Sequence, residues 1–364
     1  MTGPATIPIA DSPEALTPSW LTTVLRKSEV LETGCVAAVS VSPIGTGQMC
    51  DCVRLELVYE VPTDAPRTIV AKLPASDETS RATARSLRTY VNEVRFYQEL
   101  APGLGVHTPR CYYADIDEES ASFVLLLEDL APARQGDQLE GCSVDEAHIA
   151  IDELVELHAP RWGDPALSRI SWLHGDKAAG RLFLATFLPG MWEAFRTRYA
   201  GDLEEHVLEA GNILFGAIEE YLSAETGPAT IVHGDYRLDN LLFDPTPGGV
   251  KISVVDWQMC TDGPALSDVA YFVGAGLLVD DRRAVETDLV CGYQDALIAA
   301  GVTGYTSDQC WRDYRRGTWA GLIMAVAASM LVERTARGDR MFLTMADRHA
   351  RHALDLDGPG VLGA

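Results

Sequence analysis

Basic residues are scarce in this chain: its 364 residues hold 29 Lys and Arg against 53 Asp and Glu, a formal charge of −24. A duplex is a polyanion gripped mainly by Lys and Arg, so this balance excludes a general nucleic-acid binder and argues against docking on anionic lipid. Long apolar runs are missing too. The uncharged stretch Trp319–Val332 has 14 residues, short of the roughly 20 that span a bilayer, and reads as a buried helix. Eight cysteines stand at 35, 50, 52, 111, 142, 260, 291 and 310, with no Cys-x-x-Cys pair and no Cys/His cluster. Cys50 and Cys52 alone make a weak zinc signal, and scattered thiols in a chain of this size read as reduced cytoplasmic ones. The first ten residues carry no basic start and no continuous apolar core, so no secretory leader is expected. Repeats and low-complexity tracts are lacking, apart from the loop Thr246-Pro247-Gly248-Gly249. With 47% apolar and 23% charged residues, disorder and coiled coil are poor fits. The length allows two domains or one two-lobed enzyme.

What is present changes character along the chain. Thr17 and Pro18 mark a helix start, with Trp20, Leu21, Val24 and Leu25 on one face. Val36–Val41 is strand-like, Pro43–Gly47 is a turn, Val53–Tyr59 alternates apolar with polar, and Thr68–Lys72 resumes as a strand. Thr79–Leu100 reads as one long helix ended by Ala101-Pro102-Gly103, followed by strands near Arg110–Ala114 and Phe123–Leu127. Residues 1–130 are therefore expected to form a mostly antiparallel sheet with one inserted helix. Residues 131–364 read as mainly helical, starting over Ser143–His158 and interrupted by a mixed region at residues 230–256.

That mixed region carries the strongest chemical signal, His233-Gly234-Asp235-Tyr236-Arg237-Leu238-Asp239-Asn240, between the apolar runs Ala229–Val232 and Leu241–Phe243. An Asp and an Asn five residues apart on such a turn suit phosphoryl transfer. Asp235 would accept the proton of an attacking hydroxyl, and the Asn240 side-chain oxygen would hold a metal beside the phosphates. Asp256 ends the run Ile252–Val255 and offers Mg²⁺ a second hard oxygen. Lys72 would pair the phosphates of a nucleotide, with Glu93 on the following helix orienting it. The loop Gly45-Thr46-Gly47 would bring backbone N–H groups to phosphate, although a Gly-x-Gly turn between strands needs no ligand.

These residues resemble the aminoglycoside phosphotransferase and choline kinase superfamily, and within it the ecdysteroid-kinase-like branch. The resemblance rests on His233–Leu242, Val254-Val255-Asp256-Trp257-Gln258, Asp268-Val269-Ala270-Tyr271-Phe272, Leu126–Leu130 and Leu157–Trp162, and spans roughly residues 35–275. It implies an α+β, protein-kinase-like bilobal fold: a β-rich nucleotide-binding lobe over residues 1–130 and a mainly helical catalytic lobe over 131–364, with ATP in the cleft. It also implies Asp235 as catalytic base, Asn240 and Asp256 as Mg²⁺ ligands, and Arg237 as a counter-charge for the transferred phosphate. Asp268 would brace the catalytic loop, and the backbone of Glu128-Asp129-Leu130 would be the hinge that binds adenine. The acceptor would be a small hydroxylated molecule.

Plainer readings stand beside these. Gly-Asp is common turn chemistry, and His174-Gly175-Asp176 is a second copy with Arg181 where the Asn would be; it reads as a loop. Lys72 also reads as a strand-end lysine, Glu93 as part of a solvated helix face, and His158 as either a helix cap or a functional group. Trp311, Tyr314 and Trp319 fall at helical spacing, which more often means core than substrate wall. A protein kinase would carry His-Arg-Asp, Asp-Phe-Gly and Ala-Pro-Glu, which this chain lacks. A nucleotide-binding pseudoenzyme would have lost Lys72, Asp235, Asn240 or Asp256, and all four are present. The acidic balance suits a polycationic acceptor such as an aminoglycoside. The branch resemblance and the acid-poor stretch after Asp313 favour a largely apolar alcohol.

Overall fold

Thr17 opens the first helix, α1 (Pro18–Lys27), as a side-chain N-cap: its hydroxyl accepts the Trp20 amide, and Pro18 takes the first helical position, where no N–H is needed. The computed structural model describes residues 7–45, 49–224, 227–244, 246 and 251–363. Gly47 of the expected phosphate loop lies outside the described residues, whereas Gly45 turns the chain at φ +73° with open space around it. By contact density the chain divides into two compact units, residues 1–103 with 108–131, and residues 104–107 with 132–364.

In the first unit, β1 (Val36–Pro43), β2 (Cys50–Tyr59), β3 (Thr68–Pro74), β4 (Cys111–Asp117) and β5 (Ser122–Glu128) form one sheet in the order β1-β2-β3-β5-β4, every neighbouring pair antiparallel. The alternation in β2 buries Val53, Leu55 and Leu57 on the face that meets α1 residues Leu21, Val24 and Leu25. β3 and β5 lie inside the sheet; β5 is apolar on both faces, and β3 is largely apolar apart from Lys72.

The long helix expected over residues 79–100 is instead two helices, α2 (Glu78–Ser86) and α3 (Thr89–Arg95), followed by a wider π-type turn over Phe96–Leu100. Arg88 sits at φ 57°, a left-handed conformation that ends α2. The apolar spacing runs on through this break, so periodicity alone reads it as continuous.

The second unit contains β6 (Arg134–Gln135), α4 (Val144–His158), α5 (Ser171–His174), α6 (Lys177–Arg198), α7 (Glu205–Gly216), α8 (Ile218–Ser223), β7 (Ala229–Val232), β8 (Leu241–Phe243), β9 (Ile252–Val254) and β10 (Thr261–Pro264), then α9 (Leu266–Gly276), α10 (Val279–Ala299), α11 (Ser307–Gly317), α12 (Trp319–Leu331) and α13 (Ala336–Asp355). Ser143 and Glu146 form a reciprocal capping box at the start of α4. The apolar stretch Trp319–Val332 is mostly α12, whose Trp319, Leu322, Ala325 and Val326 are buried against Tyr271, Phe342 and Met345. Tyr314 is fully buried and Trp311 half-buried. The composition of this segment is thus accounted for by the core. Among the described residues no helix is long and apolar enough to cross a membrane.

Two glycines let three helices close on one ring. A Cβ on Gly321 of α12 would stand 2.0 Å from His349 Nε2, and one on Gly274 of α9 would stand 2.6 Å from His349 Nδ1 and 2.5 Å from His352 Nδ1. Gly321→Ala should therefore destabilise the protein by about 2–3 kcal/mol through overpacking. Gly292→Ala, on the exposed side of α10 with nothing within 4 Å, should stabilise by about 0.5–1 kcal/mol. Urea unfolding of the two variants measures both, and the opposite signs distinguish packing from helix propensity.

Candidate active site

In the first unit, Lys72 lies within β3 opposite Leu125 of β5, and its ammonium meets the Glu93 carboxylate of α3 at 2.6 Å. Both residues are buried, 7% and 2% exposed. An ion pair at that depth must be well matched to repay its desolvation, and neither the strand-end nor the solvated-face reading fits it. Glu128 ends β5 with its N–H on the Arg110 carbonyl and its carboxylate on the Arg110 amide, and Asp129 pairs with Arg54 at 2.8 Å. Leu130 follows, half-buried.

In the second unit, the segment 233–240 joins β7 to β8, and its shape is dictated from α9. Asp268 accepts the main-chain N–H of His233 at 2.6 Å and of Gly234 at 3.0 Å. Beneath it, His158 stands 3.4 Å from the same carboxylate and 2.6 Å from the Tyr293 hydroxyl, so His158 is part of a buried network and caps no helix end. His233 closes the turn with its own ring: Nε2 bonds the Val255 carbonyl at 3.0 Å while Nδ1 accepts the Asp235 amide at 3.2 Å, the pattern of a neutral Nε2–H imidazole. Gly234 is required here. It sits at φ +78°, and a Cβ would approach the Met259 carbonyl to 2.5 Å.

Asp235 is 8% exposed, and its carboxylate receives three side chains. Arg237 Nε lies 3.1 Å from each oxygen, Asn240 Nδ2 donates to Oδ2 at 3.0 Å, and the Tyr271 hydroxyl donates to Oδ1 at 2.7 Å. Burial works against the charge of Arg237, but Asp235, Tyr271 and Asp239 outweigh it and hold the guanidinium more firmly protonated than usual. Burial would push the Asp239 carboxyl up, yet Arg237 and Arg337 bring it below the ordinary range. Burial first, and the neighbouring Asp235 next, hold the Tyr271 phenol well above its usual pKa, so it stays a donor.

Asn240 and Asp256 are brought together by register. β8 pairs with β9 so that Leu241 faces Val254, and the next bond, Val255 N–H to the Asn240 carbonyl at 3.0 Å, leaves Asp256 one residue beyond. Asp256 is half-buried at φ 70°, a conformation Asp tolerates better than most residues and one that often marks functional sites. The second His-Gly-Asp copy does something else: His174 ends α5 and pairs with Asp262 at 2.7 Å, while Asp176 caps α6 by accepting the Ala179 amide at 3.0 Å.

Sequence reasoning singled out the motif around Tyr271 without giving that residue a task; its place one turn after Asp268 was the available signal. Gln138, buried under the loop, accepts the Leu238 amide on its side-chain oxygen and donates its main-chain N–H to Asp239, and it left no such signal. The same is true of α13. There Arg337 approaches both oxygens of Asp239 at 3.4 Å, Met341 Sδ lies 3.3 Å from Arg237, and the His349 ring stacks on Tyr271 with centroids 5.3 Å apart and 7° between planes.

This chain belongs to the phosphotransferase enzyme family, whose model matches residues 54–316, more than two thirds of its length. It has a kinase-like α+β fold, with a β-rich first lobe and a mainly helical second lobe. The GDP complex of wild-type aminoglycoside 2′-phosphotransferase-IIIa has the same fold at a TM-score of 0.51 and 13% identity, covering 86% of this chain and 94% of that one. A microcompartment-associated aminopropanol kinase gives a TM-score of 0.51 at 15% identity over 93% of this chain and 99% of that one. Shorter stretches are more alike. Identity is 36% over 64 residues with acyl-CoA dehydrogenase family member 11 of Gallus gallus, 18% of this chain and 8% of that protein. It is 52% over 42 residues with acyl-CoA dehydrogenase family member 10 of Mus musculus, 12% and 4%. The matches thus span less than a tenth of these relatives' length.

Burial first, and then the charges of His352, Arg348 and Arg282, hold His349 well below the 6.5 of a free imidazole; Tyr271, Gly274 and Gly321 also pack around it. The unfolded chain then binds a proton that the folded one refuses as pH falls below 6.5. The corresponding stability is complete above that value and is lost on acidification. His349→Leu should flatten the stability–pH curve between about pH 6.5 and 5 by up to ~1.4 kcal/mol per pH unit, read from urea unfolding at a series of pH values.

Proposed function

We propose that the protein transfers the γ-phosphate of ATP to a hydroxyl of a small molecule, with Asp235 as catalytic base. The observation that carries this reading is the convergence of Arg237, Asn240 and Tyr271 on one buried carboxylate. The loop beneath it is fixed by Asp268, so the carboxylate is held in one place to orient an acceptor hydroxyl and take its proton. Arg237, held charged, stands beside it to stabilise negative charge on the transferred group. Lys72, paired with Glu93, has the phosphates of the nucleotide as its partner, Gly45 and Gly47 the backbone donors, and Glu128–Leu130 the adenine contact.

A Mg²⁺ ion fits the donors available. Asn240 uses its amide nitrogen on Asp235, on the main-chain carbonyl at 2.8 Å and on Oδ2, which leaves its carbonyl oxygen for a cation. The Asp256 carboxylate is the second hard donor, with Gln258 Nε2 at 3.3 Å from it. Among the described residues no three of His, Cys, Asp and Glu gather into a closed metal cage. That agrees with a cation carried by one carboxylate, one amide and the nucleotide's own oxygens. When bound, Mg²⁺ would neutralise phosphate charge and align the γ-phosphate.

For the acceptor we favour a largely apolar alcohol, on the likeness of residues 254–258 and 268–272 to the ecdysteroid-kinase-like branch. Acyl-CoA dehydrogenase family members match short stretches of this chain, so an acyl-CoA that carries a hydroxyl joins the compounds to be tested. An aminoglycoside is the second reading, supported by the −24 charge. A phosphotransfer panel of MgATP with kanamycin, 1-amino-2-propanol, a hydroxysterol and a medium-chain hydroxyacyl-CoA decides between them. Turnover of kanamycin alone overturns the apolar choice.

Two measurements test the chemistry. In calorimetry with a non-hydrolysable ATP analogue, Mg²⁺ should tighten binding to the parent, and Asp256→Ala should lose most of that gain; an unchanged magnesium dependence in folded Asp256→Ala removes it as a ligand. Asp235→Asn should lower turnover by roughly 100-fold or more while nucleotide binding persists. Asp176→Asn should leave turnover unchanged, since Asn caps a helix as well as Asp. Equal losses in the two variants would mean that the 233–240 segment is not the catalytic one.

A further inference from the structure

We propose that Tyr271 is the positioning residue for Asp235 and that His349 holds Tyr271 in its orientation; this rests on the reading of Asp235 as the base. The geometry separates the three donors to the carboxylate. Arg237 approaches with a single N–H that lies 3.1 Å from both oxygens, so it attracts the group without fixing its rotation. Rotation is fixed by donors placed on different oxygens, Asn240 on Oδ2 at 3.0 Å and Tyr271 on Oδ1 at 2.7 Å. Asn240 and Arg237 have second tasks in the proposed reaction. Tyr271 does not: among the described residues its hydroxyl makes one hydrogen bond, to Asp235, and the residue is 4% exposed.

What keeps that hydroxyl in place is packing. The Tyr271 ring lies parallel to the His349 ring, 7° apart in plane at 5.3 Å. His349 is fully buried and confined by Gly274 on one side and Gly321 on the other, where any side chain would collide with it. Neither ring nitrogen of His349 has a hydrogen-bond partner among the described residues. The ring therefore serves the site by its shape. Tyr271 also shares α9 with Asp268, one turn earlier. A single helix thus fixes the loop backbone through Asp268 and the loop's carboxylate through Tyr271.

The test is a double-mutant cycle on the full chain, with MgATP and whichever of the four panel compounds turns over fastest. Tyr271→Phe removes the donor and keeps the ring. We expect kcat to fall roughly tenfold, as for the loss of a hydrogen bond to a charged group, with KM for ATP and acceptor within about twofold. In the Asp235→Asn background the same change should cost nothing further, because the group being positioned is gone. 4-Aminophenylalanine at position 271 keeps an N–H donor at similar reach and should recover most of the loss, whereas 4-methylphenylalanine should not. This pair replaces the cycle if Tyr271→Phe does not fold. His349→Ala should lower kcat in the parent and not in the Asp235→Asn background. A fold-loss of equal size in both backgrounds, or equal activity of the amino and methyl variants, overturns the proposal. If Asp235→Asn itself keeps parental turnover, the base assignment fails first. If it is inactive while Tyr271→Phe is fully active, the base stands and the positioning role falls.

Discussion

A carboxylate out of reach of water, accepting two adjacent main-chain N–H groups, is the contact on which the candidate site depends. Asp268 holds the amides of His233 and Gly234, and an unsatisfied buried amide costs about 1–3 kcal/mol. The loop has few other shapes that satisfy both. The left-handed turn at Gly234, the inward ring of His233 and the position of Asp235 all follow from that pairing. His158 and Tyr293 extend it on the far side, so the loop rests on a buried polar network spanning α4, α9 and α10. Such networks are costly when incomplete and rigid when complete.

A second constraint is charge. Asp235 and Asp239 lie four residues apart and are both largely withdrawn from solvent, yet the segment carries its own cation between them. Arg237 bridges the two carboxylates, and Arg337 adds a second positive group at Asp239. The chain as a whole is strongly acidic, but this locality is close to balanced. Net charge therefore says little about what the site itself attracts.

Legibility in the sequence followed the range of the interactions. β2 was readable because Val53, Leu55 and Leu57 repeat at period two, and α1 because Thr17 and Pro18 mark its start within four residues. The segment 233–240 was readable because an Asp and an Asn five apart, followed by Asp256 after an apolar run, is a local pattern with a chemical meaning. The break at Arg88 was not, because a left-handed residue can interrupt a helix without disturbing its apolar spacing. Gln138 and His349 were invisible for a different reason. Each lies about a hundred residues or more from the loop it supports along the chain, and neither residue type implies support by itself. His158 was visible as unusual, but its partners Asp268 and Tyr293 come from helices that only folding brings together.

The helix α13 meets this region with residues four apart. Arg337 touches Asp239, Met341 touches Arg237, Met345 enters the core, and His349 backs Tyr271. Four-residue spacing keeps side chains on nearly one line of a helix, so this face acts as a ruler laid along the loop's supports. Its accuracy lies in the count. One residue inserted or deleted between Arg337 and His349 would turn the rest of the ruler by about 100° and shift it by about 1.5 Å. Every mark past that point would miss its partner together. Substitutions along α13 change one contact at a time, whereas a change in its length is felt at once by the whole loop, from a helix that carries none of the proposed catalytic groups.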